Sequence, residues 1–148
     1  MKTISVIGVG YVGLPLAVEF SKFYKVIGFD LNPSTIEELN KFSDSTGEVE
    51  AEDLKSAGNL NFSFNSEDLK GSDYYIVTVP TPITKTKEPD LEPLKSACTL
   101  LGGLISKGVT IVFESTVYPG LTEEICVPIL ERVSGLKLND DFYVGYSP

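Results

Sequence analysis

Residues Thr3 to Ile7 form a short run of β-formers that ends in Gly8-Val9-Gly10-Tyr11-Val12-Gly13, and the next such run, Lys25 to Phe29, ends in Asp30. Strand, tight turn, helix and second strand is the order these residues demand. Glycine at the first two places of the motif permits the turn and a close backbone approach, and the third lets the following helix pack against the strand. A helix start presents free backbone N–H groups and the positive end of its dipole, so an anion can bind there without a basic side chain. With the acid that closes the second strand, this is the pattern of a dinucleotide site. The pyrophosphate is expected on Gly8, Gly10, Tyr11, Val12 and Gly13, and the adenosine ribose on Asp30. Asp30 would repel a 2′-phosphate, and no Lys or Arg occurs between Leu31 and Asn40. NAD is therefore expected over NADP. The helix after the turn is expected to carry Val12, Leu16, Phe20 and Phe23 on one apolar face.

The chain has 148 residues, room for one well-buried domain, so residues 1–148 are read as a single dinucleotide-binding unit. Its formal charge of −9 argues against nucleic acid, which is bound through clustered Lys and Arg. The chain contains no histidine, which excludes a Ser-His-Asp triad and histidine metal sites. The acids between Asp44 and Asp53 lack the spacing of a cation loop and read as solvated surface, so no metal is expected. Cys98 and Cys126 both fall in apolar helical patterns and read as buried, reduced thiols. No apolar run is long enough to span a membrane, and glycine and proline interrupt the apolar stretch from Ile4 to Val18. A cytoplasmic protein is expected.

Strand-like and helix-like segments alternate throughout, which predicts an α/β fold: a Rossmann-type, doubly wound, mostly parallel six-stranded sheet. The strands are expected at Thr3 to Ile7, Lys25 to Phe29, Leu60 to Phe64, Tyr74 to Pro80, Thr110 to Glu114 and Phe142 to Tyr146. Tyr74 to Val79 is almost continuous β-former without alternation, as in a strand buried on both faces, so Tyr74 and Tyr75 read as packing residues. Helices are expected at Pro33 to Phe42, Glu50 to Ala57, Leu91 to Ile105 and Thr122 to Val133. Asp90 suits the N-cap of the third, and Pro128 should bend or interrupt the fourth.

Two further segments fall at carboxyl ends of strands, where ligands of such sheets lie. These are Val79-Pro80-Thr81-Pro82 and Glu114-Ser115-Thr116-Val117-Tyr118-Pro119-Gly120. Their prolines stiffen the loops, and Thr81, Ser115 and Thr116 offer hydroxyls for ribose, amide or ordered water. Taken together with Gly8 to Ala17 and with Tyr146-Ser147-Pro148, these segments resemble the UDP-glucose/GDP-mannose dehydrogenase family along the whole chain. The resemblance is closest to the branch that oxidises UDP-N-acetylhexosamines for capsule and O-antigen sugars, through Asp44 to Glu50 and Ser134-Gly135-Leu136.

The resemblance implies an NAD-dependent, two-step oxidation of the sugar C6 alcohol to a carboxylate. It implies cofactor contacts from the glycine loop, Asp30, Val79, Pro80, Thr81, Ser115 and Thr116, with Thr116 also helping to hold a catalytic water. The family's nucleophilic cysteine, lysine, aspartate and further glutamate would lie in later sequence, so these residues alone are expected to be inactive. The UDP-sugar substrate would bind only to the full-length enzyme, expected to be a homodimer. Neither Cys98 nor Cys126 sits in the family's cysteine motif. A basic residue that many relatives carry near Thr35 or Ile36 is absent here. Two other readings share the opening motif: the N-terminal domain of a β-hydroxyacid dehydrogenase, which Glu114-Ser115-Thr116 disfavours, and an NAD- or nucleotide-sensing regulatory module, which needs no hydroxyl cluster near the nicotinamide.

Overall fold

The computed structural model describes residues 1–114, 120 and 122–147, except for the side chain of Thr122. Its six strands are β1 (Thr3–Ile7), β2 (Lys25–Phe29), β3 (Leu60–Ser63), β4 (Tyr74–Val77), β5 (Thr110–Glu114) and β6 (Tyr143–Ser147). They form one sheet in the order β3-β2-β1-β4-β5-β6, and every pairing is parallel. The expected doubly wound fold is thus present, with a wholly parallel sheet. Chain order reverses between β1 and β4, so the connections leaving these two strands diverge and open a crevice at their carboxyl ends.

The helices are α1 (Gly13–Phe20), α2 (Pro33–Asn40), α3 (Ala51–Ser56), α4 (Glu92–Gly102) and α5 (Val127–Ser134). Leu14, Ala17 and Val18 of α1, Ile36 and Leu39 of α2 and Leu54 of α3 join Ile4, Val6, Val26 and Leu60 in one core layer. Leu94, Cys98 and Leu101 of α4 and Leu130 of α5 join Ile7, Tyr75, Val77, Ile111 and Phe113 in the other. Adjacent residues of β1 thus enter opposite layers, as the alternation of side chains along a strand requires. The buried Tyr75 hydroxyl donates to the Leu69 carbonyl at 2.7 Å, and the buried Ser5 and Ser72 hydroxyls bond each other at 2.6 Å.

Helix starts follow local chemistry. Asn32 accepts the Ser34 N–H at 3.0 Å with Pro33 in the first turn of α2, whereas α4 begins one residue later than expected, with Leu91 and not Asp90 at its N-cap position; Asp90 accepts the Glu92 N–H at 3.0 Å from just before it. Pro128 cannot donate to the carbonyl four residues back. The ladder is widened into a π turn over Thr122–Cys126, and α5 starts only at Val127, which accounts for the interruption expected in this segment.

Several boundaries and one face differ from expectation. The buried stripe of α1 is Gly13, Leu14, Ala17 and Val18. Leu16 and Phe20 only flank it, whereas Val12 and Phe23 are exposed. The sheet lies under the close helix–strand contact at Gly13, so the helix is rotated to bring Gly13 and Ala17, with Leu14 and Val18, against it. β4 ends at Val77 and not Pro80, because its partner β1 turns away at Gly8 and only Thr78 still pairs, through its N–H to the Ile7 carbonyl at 2.9 Å. β6 runs one residue later than expected, and Phe142 is a fully buried residue just before it. Tyr74 at the start of β4 is partly exposed, unlike Tyr75. The helices at Leu91 and Pro33 end earlier than Ile105 and Phe42, and the connection from β3 to β4 holds a 3₁₀ turn, Ser66–Leu69, that periodicity did not indicate.

Candidate functional site

The glycine loop is held from both sides by the ends of neighbouring strands. The Gly8 N–H donates to the Phe29 carbonyl at 2.8 Å, and the Val9 N–H donates to Asp30 Oδ2 at 3.2 Å. Val9 is 1% exposed and packs over Gly28 of β2, where a Cβ would come within 3.1 Å of Val9 Cγ1 and 2.8 Å of the Phe62 ring. Asp30 Oδ1 also accepts the Asn32 N–H at 3.1 Å. The carboxylate expected to receive the ribose therefore also fixes the loop expected to receive the pyrophosphate.

The three glycines of the motif serve different ends. Gly8 has φ +97°, a left-handed conformation open to glycine, and a Cβ there would lie 3.2 Å from the Val79 nitrogen. At Gly13 a Cβ would collide with the Gly8 carbonyl oxygen and with Thr78 Oγ1. Gly10 has neither constraint: a Cβ there meets nothing within 4 Å. The space above Gly10 is thus open to a ligand. No side chain caps α1, and the Gly10, Tyr11 and Val12 N–H groups find no intramolecular acceptor among the described residues. Tyr11 and Val12 are exposed beside this opening. Uncapped amides at the positive end of a helix, next to open space, suit an anionic group such as a pyrophosphate.

Beside the loop lies a cleft of about 430 Å³ formed by the carboxyl ends of β1, β2 and β4 and the start of α4. Gly8, Asp30, Val79 and Pro80, four of the residues expected to touch the cofactor, line it together. Val79 and Pro80 reach it because β4 stops at Val77 and the chain turns outward. Leu31, Asp90, Pro93, Ser96 and Leu100 complete the walls and were not anticipated. Leu31, 69% exposed, follows the acid at the end of β2 directly in sequence, which is the one local pointer to it. The α4 residues carry no local signal, since only the sheet order brings that helix start beside β2. The lining includes Asp30, Asp90 and Glu92 and no basic residue. That field disfavours the extra phosphate of NADP.

Thr81 follows at the base of a small hairpin in which Ile83 pairs with Pro89 and the Asp90 N–H donates to the Pro82 carbonyl at 2.6 Å. Its hydroxyl has no intramolecular partner among the described residues. The expected contacts at Ser115 and Thr116 lie outside the described residues. Two other features are set apart from the site. A larger cleft, about 620 Å³, is lined by Glu19, Lys22, Glu48 and Asp53 near the end of α1 and the residues before β3. It lies at the amino edge of the sheet, where the negative end of the α1 dipole disfavours phosphate. Cys98 and Cys126 are free and fully buried, and hydrogen bonding to Cys126 together with burial pushes the Cys98 thiol up. Such a thiol is a poor nucleophile.

Among acids outside the site, Asp44 is not merely solvated surface. Burial pushes its carboxyl up, but hydrogen bonds from the Thr46 hydroxyl and from the Val49, Thr46 and Glu48 amides outweigh this and hold it below the usual range. No helix among the described residues is long and apolar enough to cross a membrane.

Comparison with known proteins gives concordant matches. The family model described as the NAD binding domain of the UDP-glucose/GDP-mannose dehydrogenase family matches residues 2–148. UDP-N-acetyl-D-glucosamine 6-dehydrogenase of Pseudomonas aeruginosa is 55% identical over 145 residues, covering 98% of this chain and 34% of that protein. Protein CapL of Staphylococcus aureus is 52% identical over 147 residues, covering 99% of this chain and 34% of its own. Among solved structures, a ternary complex of GDP-mannose dehydrogenase from Pseudomonas aeruginosa superposes with a TM-score of 0.91 at 30% identity, covering 100% of this chain and 36% of that one. The chain spans about a third of the length of the curated relatives it matches.

Proposed function

Since the chain belongs to the UDP-glucose/GDP-mannose dehydrogenase family, as an NAD-binding domain of that family, we propose that it serves a nucleotide-sugar 6-dehydrogenase. The reaction is the oxidation of the C6 alcohol of a UDP-N-acetylhexosamine to a carboxylate in two NAD-dependent steps, for capsule or related polysaccharides. The observation that carries this reading is the uncapped glycine loop beside an acid-lined cleft, in a chain 55% identical to a UDP-N-acetyl-D-glucosamine 6-dehydrogenase.

Each residue has a role in this reading. Gly10, Tyr11 and Val12 offer amides to the pyrophosphate, Gly8 and Gly13 let the loop approach it, and Asp30 accepts the ribose hydroxyls. Val79 and Pro80 with Leu31 form the apolar sides of the adenosine cleft, and Thr81 supplies a hydroxyl at its edge. NAD, when bound, supplies the hydride acceptor. By resemblance to the family, Ser115 and Thr116 would contact the cofactor, and Thr116 would help to hold a water. Both chain cysteines are buried in the α4–α5 layer, which supports a nucleophile from sequence outside these residues. The full-length protein works in this reading as a cytoplasmic homodimer.

Residues 1–148 should bind NAD and form no NADH from UDP-N-acetylglucosamine or its epimers. The full-length gene product should turn over, with Thr116→Ala lowering kcat more than NAD affinity. NADH formation by residues 1–148, dependent on Cys98 or Cys126, would overturn the reading, as would a full-length protein that binds NAD without oxidising any UDP-sugar.

A further inference from the structure

Gly8 has φ +97°, and the direction of the peptide plane between it and Val9 decides what the loop shows to a ligand. One orientation directs the Gly8 carbonyl inward; the reverse would present an acceptor oxygen to a phosphate that needs donors. The plane is fastened at both ends. The Val9 N–H is held by Asp30 at 3.2 Å, and the Gly8 oxygen is held by Thr78 Oγ1 at 2.5 Å. The same hydroxyl reaches the Ile7 oxygen at 3.0 Å, which also accepts the Thr78 N–H at 2.9 Å. Thr78 is 9% exposed, the first residue beyond β4, and thus stands at the switch point of the sheet directly under the loop.

From this geometry we propose that Thr78 is a positioning residue for the dinucleotide site: its hydroxyl locks the Gly8–Val9 peptide with its carbonyl inward, so the loop presents only N–H groups to the pyrophosphate. The inference rests on the pyrophosphate lying against Gly10, as in the reading above. It also explains why Gly13 cannot carry a side chain. The inward Gly8 oxygen and the Thr78 hydroxyl occupy the place its Cβ would take. Threonine suits the task, since its methyl group can fill the buried corner while its hydroxyl donates. Valine would keep the shape and lose the donor, leaving the part-buried Gly8 oxygen with one bond fewer.

The test compares Thr78→Val, Thr78→Ser and Gly10→Val with the parent chain, using calorimetric titration of NAD and ADP-ribose and NMR titration of adenosine. Thr78→Val should weaken NAD and ADP-ribose by roughly tenfold, the effect of one lost hydrogen bond on the loop, and leave adenosine unchanged. Thr78→Ser should restore both ligands to within about twofold, since it keeps the hydroxyl. A residue that only supported the fold would lower the melting temperature without separating the diphosphate ligands from adenosine. That result, or wild-type NAD affinity in Thr78→Val, overturns the proposal. If Thr78→Val does not fold, Thr78→Ala carries the same comparison without added volume. Gly10→Val reports separately on the site: loss of NAD there with unchanged affinity in Thr78→Val refutes the role of Thr78 alone, and retention of NAD in Gly10→Val refutes the placement of the pyrophosphate.

Discussion

Glycine to alanine at Gly10 and at Gly13 is one chemical change made three residues apart in one motif, and the structure predicts opposite outcomes. At Gly13 the added Cβ would fall on the Gly8 carbonyl oxygen and on Thr78 Oγ1, which are bonded to each other. Neither is the free end of a flexible side chain, so α1 must shift away from β1. Overpacking of this kind costs about 1 to 3 kcal/mol. For a domain of this size each kcal/mol lowers Tm by about 2 to 4 °C, so Gly13→Ala should melt roughly 2 to 12 °C below the parent. At Gly10 the Cβ meets nothing within 4 Å and the backbone is not left-handed. Alanine there narrows the unfolded ensemble and should raise stability by about 0.4 to 1 kcal/mol, which raises Tm by roughly 1 to 4 °C. Calorimetric melts without ligand read both shifts. Binding then reverses the ranking of Gly10: Gly10→Val, whose branched side chain fills the open space, should keep the fold and lose NAD. Losing two charge-assisted hydrogen bonds, at about 1.5 to 3 kcal/mol each, is roughly a hundredfold to ten-thousandfold in affinity. Equal Tm shifts at Gly10 and Gly13, or a Gly10→Ala protein less stable than the parent, would refute the reasoning from the loop geometry.

Asp30→Ala should weaken NAD by roughly ten- to hundredfold, through loss of the ribose acceptor and release of the Val9 N–H, and titration showing equal NAD and NADP affinity in the parent would contradict the acid-lined cleft. The Asp44 carboxyl is held below its unfolded value, so its stabilisation is present above the unfolded carboxylate range and is lost as pH falls through the folded value. Asp44→Asn should therefore lower Tm at neutral pH, and the gap to the parent should close on acidification; a pH-independent gap would count against the hydrogen-bonded carboxylate. Cys98 and Cys126 should resist a thiol reagent in the native chain and react after denaturation, so rapid native labelling would contradict their burial.

The amino-acid sequence alone determined the strand–loop–helix–strand opening, because each part rests on local chemistry: β-formers, glycines at turn positions and an acid at a strand end. β1, β2 and β5 begin and end where their patterns do, and Gly8 and Asp30 break the ladder locally after the first two. The length of β4 was not legible, because a strand ends when its partner leaves, and the partner is β1, some seventy residues earlier. The buried face of α1 was misjudged for a related reason. Periodicity favours Leu16 and Phe20, but the close approach at Gly13 turns Leu14, Ala17 and Val18 inward instead. The motif singled out Val79 and Pro80, which line the cleft, but not Ser96 and Leu100, which reach it only through the crossover that sets α4 beside β1 and β2. Thr78 shows the division most plainly. In the sequence it is one more β-former in a continuous run; only the parallel pairing of β1 with β4 places its hydroxyl under the Gly8 carbonyl. Local pattern specifies which backbone groups are available, and long-range pairing decides which of them are occupied and which face a ligand.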